Sequence, residues 1–175
     1  PDFEDEQRRV LAVTTGGVRV INLYVPNGSR VGSEKYEYKL RWLRSLADFL
    51  EQELEQHAHV VVLGDFNIAP ADIDVYDAEK WGEGILCSPA ERSALERIMS
   101  LGFVDVFREK QPAEQQFSWW DYRAGGFRRN LGLRIDLILA NQAMAALCSS
   151  AVIDREPRAW ERPSDHAPVA AVFDL

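Results

Sequence analysis

His59-Val60-Val61-Val62-Leu63-Gly64-Asp65-Phe66-Asn67 decides the fold. A short apolar run that ends in Gly-Asp is the signature of a central strand buried on both faces. Upstream, Arg9 to Thr15 and Val18 to Val25 alternate apolar and polar residues around Gly16-Gly17, as two strands of a tight hairpin do. Pro26 to Ser33 reads as a loop. From Glu34 to about His57 the residues Tyr36, Leu40, Leu43, Ala47, Leu50 and Leu54 recur at steps of three and four, one face of a long amphipathic helix. Downstream, Phe66 to Cys87 is irregular. Ser88-Pro89-Ala90-Glu91 then opens a second helix with a capping box, and Gly102 closes it. Phe117 to Trp120, Leu133 to Ala140, Ala151 to Arg155 and Ala167 to Phe173 read as further strands. The expected class is α/β (α+β), a single layered domain over residues 1–175 with polar residues at strand ends.

The composition bounds the function. A chain of 175 residues with 46% hydrophobic content builds one compact core. No apolar run is long enough to cross a bilayer, so no membrane partner is expected. No signal peptide is visible, and two cysteines, Cys87 and Cys148, match two unpaired thiols in a reducing cytoplasm. The formal charge of −8 argues against a non-specific nucleic-acid binder. A metal-dependent nuclease needs clustered carboxylates and only a basic substrate track, so the distribution of charge matters more than its sum. The chain begins at Pro1 with a polar, acidic stretch, which reads as a cut inside a longer gene product.

Four elements carry chemistry. Asp65 and Asn67, two apart after a buried strand, leave the sheet at one edge: Asp65 to accept a proton from water, Asn67 to orient that water or steady an oxyanion. An Asx turn ending the strand explains the same residues without function. Ser164-Asp165-His166 stands just before the last apolar strand, offering a metal-ligating oxygen and an imidazole that can donate to a phosphate. Asp136 interrupts an apolar strand and needs a partner, either His166 or, on the same strand face, Arg134. Tyr24 closes a strand and either bonds a phosphate oxygen or packs at a sheet rim. Together these place four polar groups at the C-terminal ends of four strands.

Asn22 to Gly28, Gly32-Ser33-Glu34-Lys35-Tyr36, Lys39 to Leu43, Gly64 to Pro70, Phe117 to Arg123, Gly132 to Asp136 and Ser164 to Pro168 resemble, in order, the exonuclease III family of apurinic/apyrimidinic endonucleases. The resemblance implies part of a four-layer α/β sandwich of the deoxyribonuclease I type, with Mg²⁺ (Mn²⁺ as the alternative) as cofactor. It implies that Asp65 activates water, Asn67 assists phosphate binding, His166 donates to the phosphate under orientation by Asp136, and Tyr24 touches the phosphate. Asp165 lies near the metal, with Asp65, Asn67 and His166 as its companions. Trp119 and Leu133 line a slot for an abasic sugar. The implied substrate is double-stranded DNA with abasic sites or 3′ ends, cut as an endonuclease or a 3′→5′ exonuclease. Family members also carry an N-terminal part with an Asn at the phosphate and a Glu on the metal, neither matched here. The fragment alone is therefore expected to be inactive or very weak, and to associate, as a dimer or swapped assembly, through the face that part would cover.

Basic residues gather in two places: Lys35, Lys39, Arg41 and Arg44 on the long helix, and Arg123, Arg128, Arg129 and Arg134 around the Trp segment. Lys39 and Arg123 are the expected DNA contacts, alongside Trp119 and Leu133. Two rival classes are a phosphodiesterase or phosphatase acting on a phospholipid or inositol phosphate, which has no need of paired tryptophans, and a non-catalytic binding protein on the same scaffold.

Overall fold

A computed structural model describes residues 7–175, so the start of the polar N-terminal stretch lies outside the described residues. Strands β1 (Val10–Thr15) and β2 (Val18–Tyr24) form the expected hairpin, turning through Gly16 and Gly17 at φ +56° and +80°. Helix α1 (Glu34–Gln56) begins at Ser33, whose hydroxyl accepts the Tyr36 N–H, and leads to β3 (Val60–Asp65). Then come α2 (Ala78–Trp81), α3 (Pro89–Ser100) with the expected Ser88/Glu91 capping box, β4 (Phe103–Asp105) and α4 (Val106–Lys110). The chain ends with β5 (Trp119–Trp120), β6 (Gly132–Leu133), β7 (Asp136–Asn141), α5 (Gln142–Ala145), β8 (Cys148–Ile153) and β9 (Val169–Phe173).

The class is α/β, built on a mixed sheet in the order β1-β2-β3-β7-β4, with two two-stranded ribbons, β5-β6 and β8-β9. Strand β3 sits at the centre, parallel to β2 and antiparallel to β7. Its alternate residues face opposite layers. Val60 and Val62 pack with Leu137 and Leu139 against α1 and α3. Val61 packs with Ile138 and Ala140 against α4 and the β8-β9 ribbon. Burial on both faces is why this strand is apolar throughout instead of alternating. Gly64 ends the run for a steric reason. It stands at φ +134° beside β2, and a Cβ there would lie 1.9 Å from the Leu23 carbonyl oxygen.

The expected strand from Leu133 to Ala140 is two strands in two sheets. Arg134 leaves the strand path for a buried pair of carboxylates, with Nε 2.7 Å from Asp74 and Nη1 2.7 Å from Asp105. The Ser118 hydroxyl accepts the N–H groups of both Ile135 and Asp136 at 3.0 Å, holding the chain as it crosses between sheets. An Arg134–Asp136 salt bridge is thereby replaced. Pairing of Phe117 and Ser118 is likewise shorter than expected, since β5 begins at Trp119.

Among the described residues no helix is long and apolar enough to cross a membrane. Leu11 and Val13 on β1, and Val152 and Val172 on the last ribbon, turn apolar side chains to solvent.

Candidate active site

Register builds the site. Tyr24 pairs with Asp65 across β2 and β3, and Asp65 pairs with Asp136 across β3 and β7, so three polar side chains stand in one row. Directly paired residues lie side by side on the same sheet face. His166 joins them through an isolated bridge to Trp119, and its Nδ1 lies 2.8 Å from Asp136 Oδ2. The four groups share one rim, but not by the geometry expected. Tyr24 and Asp65 end β2 and β3, whereas Asp136 begins β7 and His166 precedes β9. Antiparallel pairing brings the start of β7 to the end of β3.

The electrostatics of the row favour proton transfer. Burial, then the neighbouring Asp136 charge, pushes the Asp65 carboxyl up to about 6, against the pull of the Asn67 N–H and the His166 charge. A carboxylate at that value is largely ionised at neutral pH and still basic enough to take a proton. Burial alone would push the His166 imidazole down. The bond and charge of Asp136, aided by Asp65 and Asp165, outweigh it and hold the imidazole above its ordinary value.

The loops beside the row are tied by amides. Asp65 accepts from the Asn67 backbone N–H at 2.8 Å and from Asn67 Nδ2 at 3.0 Å. This is the Asx turn, and it also aims the carboxylate. Asn67 adopts φ +50° and gives its second amide hydrogen to the Val25 carbonyl. Its two donors are thus committed to protein acceptors. Asn27 donates to Asn67 Oδ1 at 3.0 Å and is itself exposed. It is therefore the amide that faces outward, a member of the site absent from the sequence expectation. The signal was present in Asn27-Gly28, which directly follows the strand carrying Tyr24.

Tyr24 is 49% exposed, with the Arg9 guanidinium 5.1 Å from its ring. It lines a cavity of about 540 Å³ with Asn27 and Lys35. Trp119 donates its indole N–H to Asp165 at 2.9 Å, which fixes the carboxylate beside His166. Trp119 also borders a smaller cavity of about 200 Å³, together with Arg123 and Leu131.

Two expected DNA contacts are corrected. Lys39 has no exposed surface and pairs with Glu91, because its helical spacing from Tyr36 and Leu43 turns it inward. Leu133 is also fully buried, packed with Val75, Leu86 and Ile135 beneath Trp119, so Leu131 takes its place at the cavity wall. Arg134, grouped with the second basic cluster, is 1% exposed. Arg123 does reach solvent, in a local pair with Asp121.

Asp65, Asn67 and Asp165 offer hard oxygen donors of the kind Mg²⁺ takes together with water and phosphate oxygens. No group of three His, Cys, Asp or Glu side chains among the described residues is placed to hold a metal ion. Among the described residues these side chains offer only part of a cation's oxygen shell.

Comparison with known proteins agrees with this geometry. Exodeoxyribonuclease III of Haemophilus influenzae is 39% identical, the match covering 98% of this chain and 69% of that protein. The exodeoxyribonuclease of Bacillus subtilis is 34% identical over 98% of this chain and 66% of its own length. The chain thus spans about two thirds of these relatives. Among solved structures, the 3′ phosphatase NExo from Neisseria bound to a product DNA hairpin superposes with a TM-score of 0.97 at 50% identity, covering 98% of this chain and 67% of that one. An AP endonuclease from Archaeoglobus fulgidus gives 0.90 at 41% identity, covering 95% and 65%. The model of the endonuclease/exonuclease/phosphatase family matches residues 1–166, from before the first strand to the histidine of the rim. With one family spanning every element that contributes to the row, the chain belongs to the endonuclease/exonuclease/phosphatase family.

Proposed function

We propose that this chain forms the larger part of a DNA-repair nuclease that hydrolyses phosphodiester bonds, with exodeoxyribonuclease and apurinic/apyrimidinic endonuclease action. The observation that carries the reading is the row itself: an upward-shifted Asp65 beside an imidazole that Asp136 holds at 2.8 Å. Asp65 takes a proton from water as the water oxygen bonds to phosphorus; the P–O bond to the sugar leaving group breaks, and the departing oxygen takes up a proton from solvent. His166 donates from Nε2 to a phosphate oxygen, while Asp136 fixes the Nδ1 side and stabilises the imidazolium. Asn27 and Tyr24 contact phosphate oxygens from the β2 side, and Asn67 assists by aiming Asp65. Trp119 stacks on an unpaired nucleotide or abasic sugar, with Arg123 as a phosphate contact.

The similarity to a DNA-bound 3′ phosphatase supports DNA with 3′ ends as substrate, and the AP endonuclease relationship supports abasic sites. Mg²⁺, or Mn²⁺ in its stead, is the proposed cofactor; it supplies charge neutralisation at the phosphate when bound, with Asp65, Asn67 and Asp165 offering oxygens and His166 alongside. A cytoplasmic setting fits two free, buried thiols. Self-association is proposed through the solvent-facing apolar side chains of β1 and the β8-β9 ribbon, and light scattering showing only monomers at high concentration removes it.

The decisive assay offers the full-length protein three substrates with Mg²⁺: a duplex with one abasic site, an intact duplex with free 3′ ends, and an inositol phosphate. Cutting at the abasic site and shortening from 3′ ends are the expected results. Turnover of the inositol phosphate alone refutes the DNA reading, and absence of any turnover leaves a non-catalytic binder. The isolated chain is expected to be nearly inactive in the same assay.

A further inference from the structure

Lys39 is the one lysine among the described residues that the core swallows whole. A leucine would fill that helix position without placing an ammonium in a low-dielectric interior, so the charge calls for an explanation. Its three donors provide one. Nζ lies 2.7 Å from the Asn67 carbonyl oxygen and 3.3 Å from that of Asn27, and the third acceptor is the Glu91 carboxylate. The two carbonyls belong to different loops, one following β2 and the other following β3.

Two further observations place the loops on this side chain. Gly28 stands at φ +89°, and a Cβ on it would lie 3.1 Å from Lys39 Cδ and 3.0 Å from Ile85, so the β2 loop rests directly on the lysine stem. Asn67 holds a positive φ of +50°, a conformation that sets the direction of its carbonyl, and the shortest of the lysine's neutral contacts goes to that oxygen. Glu91 does not float. It is the third residue of α3, held by the Ser88 N–H and hydroxyl in the capping box, and Ser88 is bonded in turn to Tyr36 on α1 at 2.6 Å. Both helices therefore deliver the ion pair to the underside of the rim.

We infer that Lys39 is a positioning residue: by gripping the backbones of Asn27 and Asn67 together it fixes the Asn27–Asn67–Asp65 amide chain and so sets where a phosphate group sits. The inference rests on the phosphodiesterase reading and goes beyond it. With no exposed surface, Lys39 cannot touch substrate directly and acts through the two asparagines.

The test uses inorganic phosphate as the probe and side-chain NMR of the full-length protein as the readout. In the unmutated protein, phosphate is expected to shift the Asn27 amide, the His166 ring and the Lys39 Nζ signal together. The paired variant Lys39→Met with Glu91→Gln removes both buried charges while Gln retains the capping box. It is expected to stay folded, yet to bind phosphate about tenfold more weakly, the scale of one lost charge-assisted contact, with the Asn27 and Asn67 amides no longer responding together. Glu91→Gln alone should leave affinity within about twofold, because the grip on the carbonyls survives. Unchanged phosphate affinity in the paired variant overturns the inference. If that variant does not fold, the unmutated protein decides: a Lys39 Nζ signal that ignores phosphate while His166 responds also overturns it. Phosphate that moves neither Asn27 nor His166 removes the phosphodiesterase reading instead, so the two failures are distinguishable.

Discussion

The molecule twice sets a pair of aspartates around one cation, and the two places behave differently. At the rim, Asp65 and Asp136 face His166, whose side chain keeps 31% of its surface in solvent. Between the sheets, Asp74 and Asp105 hold Arg134, 1% exposed, with Arg108 reaching Asp74 from outside at 2.6 Å. A guanidinium never gives up its proton, so the inner group is a permanent clamp. An imidazole can, and the carboxylate beside it has been lifted into the range where it can exchange one as well. Residue type alone does not separate chemistry from architecture here. The titratability of the cation and its access to water do.

Substitution sharpens that contrast. The largest expected effect is on catalysis: Asp65→Asn removes the base and should lower turnover of the full-length enzyme by about 10²–10⁴-fold, measured on the abasic duplex. Folding should move the opposite way. The Asp65 carboxyl is raised in the fold, so the folded state loses stability as pH climbs from the ordinary carboxylate value of 3.8 through about 6. At neutral pH the neutral amide should therefore be as stable as Asp or more so, up to about 2 kcal/mol by urea titration; a clear loss of stability would show that burial does not raise this group.

Arg134→Ala should be the mirror image. It leaves Asp74 and Asp105 as buried carboxylates without their clamp and should lower stability by about 3–5 kcal/mol, read as a shift in urea midpoint. If the loss is below about 1 kcal/mol, the inner group is not the clamp described.

The rim should also show its protons in a pH profile. Activity should rise with pH through about 6 as Asp65 ionises, and fall again above the raised value of His166. Asp136→Asn removes the charge that holds the imidazole up, so the alkaline limb should move to lower pH, with turnover down by roughly tenfold or more. An alkaline limb that stays in place assigns it to another group. The stability sign for His166 is also fixed: its raised value contributes stability that is full below the ordinary imidazole value and is lost as pH rises through the folded one.

The smallest effect belongs to Arg123. Its side chain is 89% exposed and, among the described residues, pairs with Asp121, so Arg123→Ala should leave the urea midpoint essentially unchanged. As a phosphate contact it should reduce the salt dependence of DNA binding by about one charge. No change in salt slope removes Arg123 from the DNA path.

What was legible in the sequence follows from periodicity and local sterics. The hairpin, α1, β3 and the α3 capping box lie close to where pattern and caps place them, because each is decided by neighbouring residues. The Asp136–His166 pair was also within reach, since a carboxylate in an apolar strand demands a partner. The break at Arg134 was not, because whether residues 132–140 run on or cross between sheets depends on Asp74, Asp105 and Ser118, distant in the chain. Lys39 lies between. Its spacing from Tyr36 and Leu43 already marks an inward position, but lysine is taken as surface until a carboxylate as far along the chain as Glu91 is seen to meet it. By itself, then, the sequence determined the hairpin, α1, β3, α3 and the family they resemble, but not the short elements α2, β4, α4 and α5. Only the tertiary structure decided which strand ends share a rim and which charged side chains are buried, because strand register and ion pairing are contacts between residues that the chain order keeps apart.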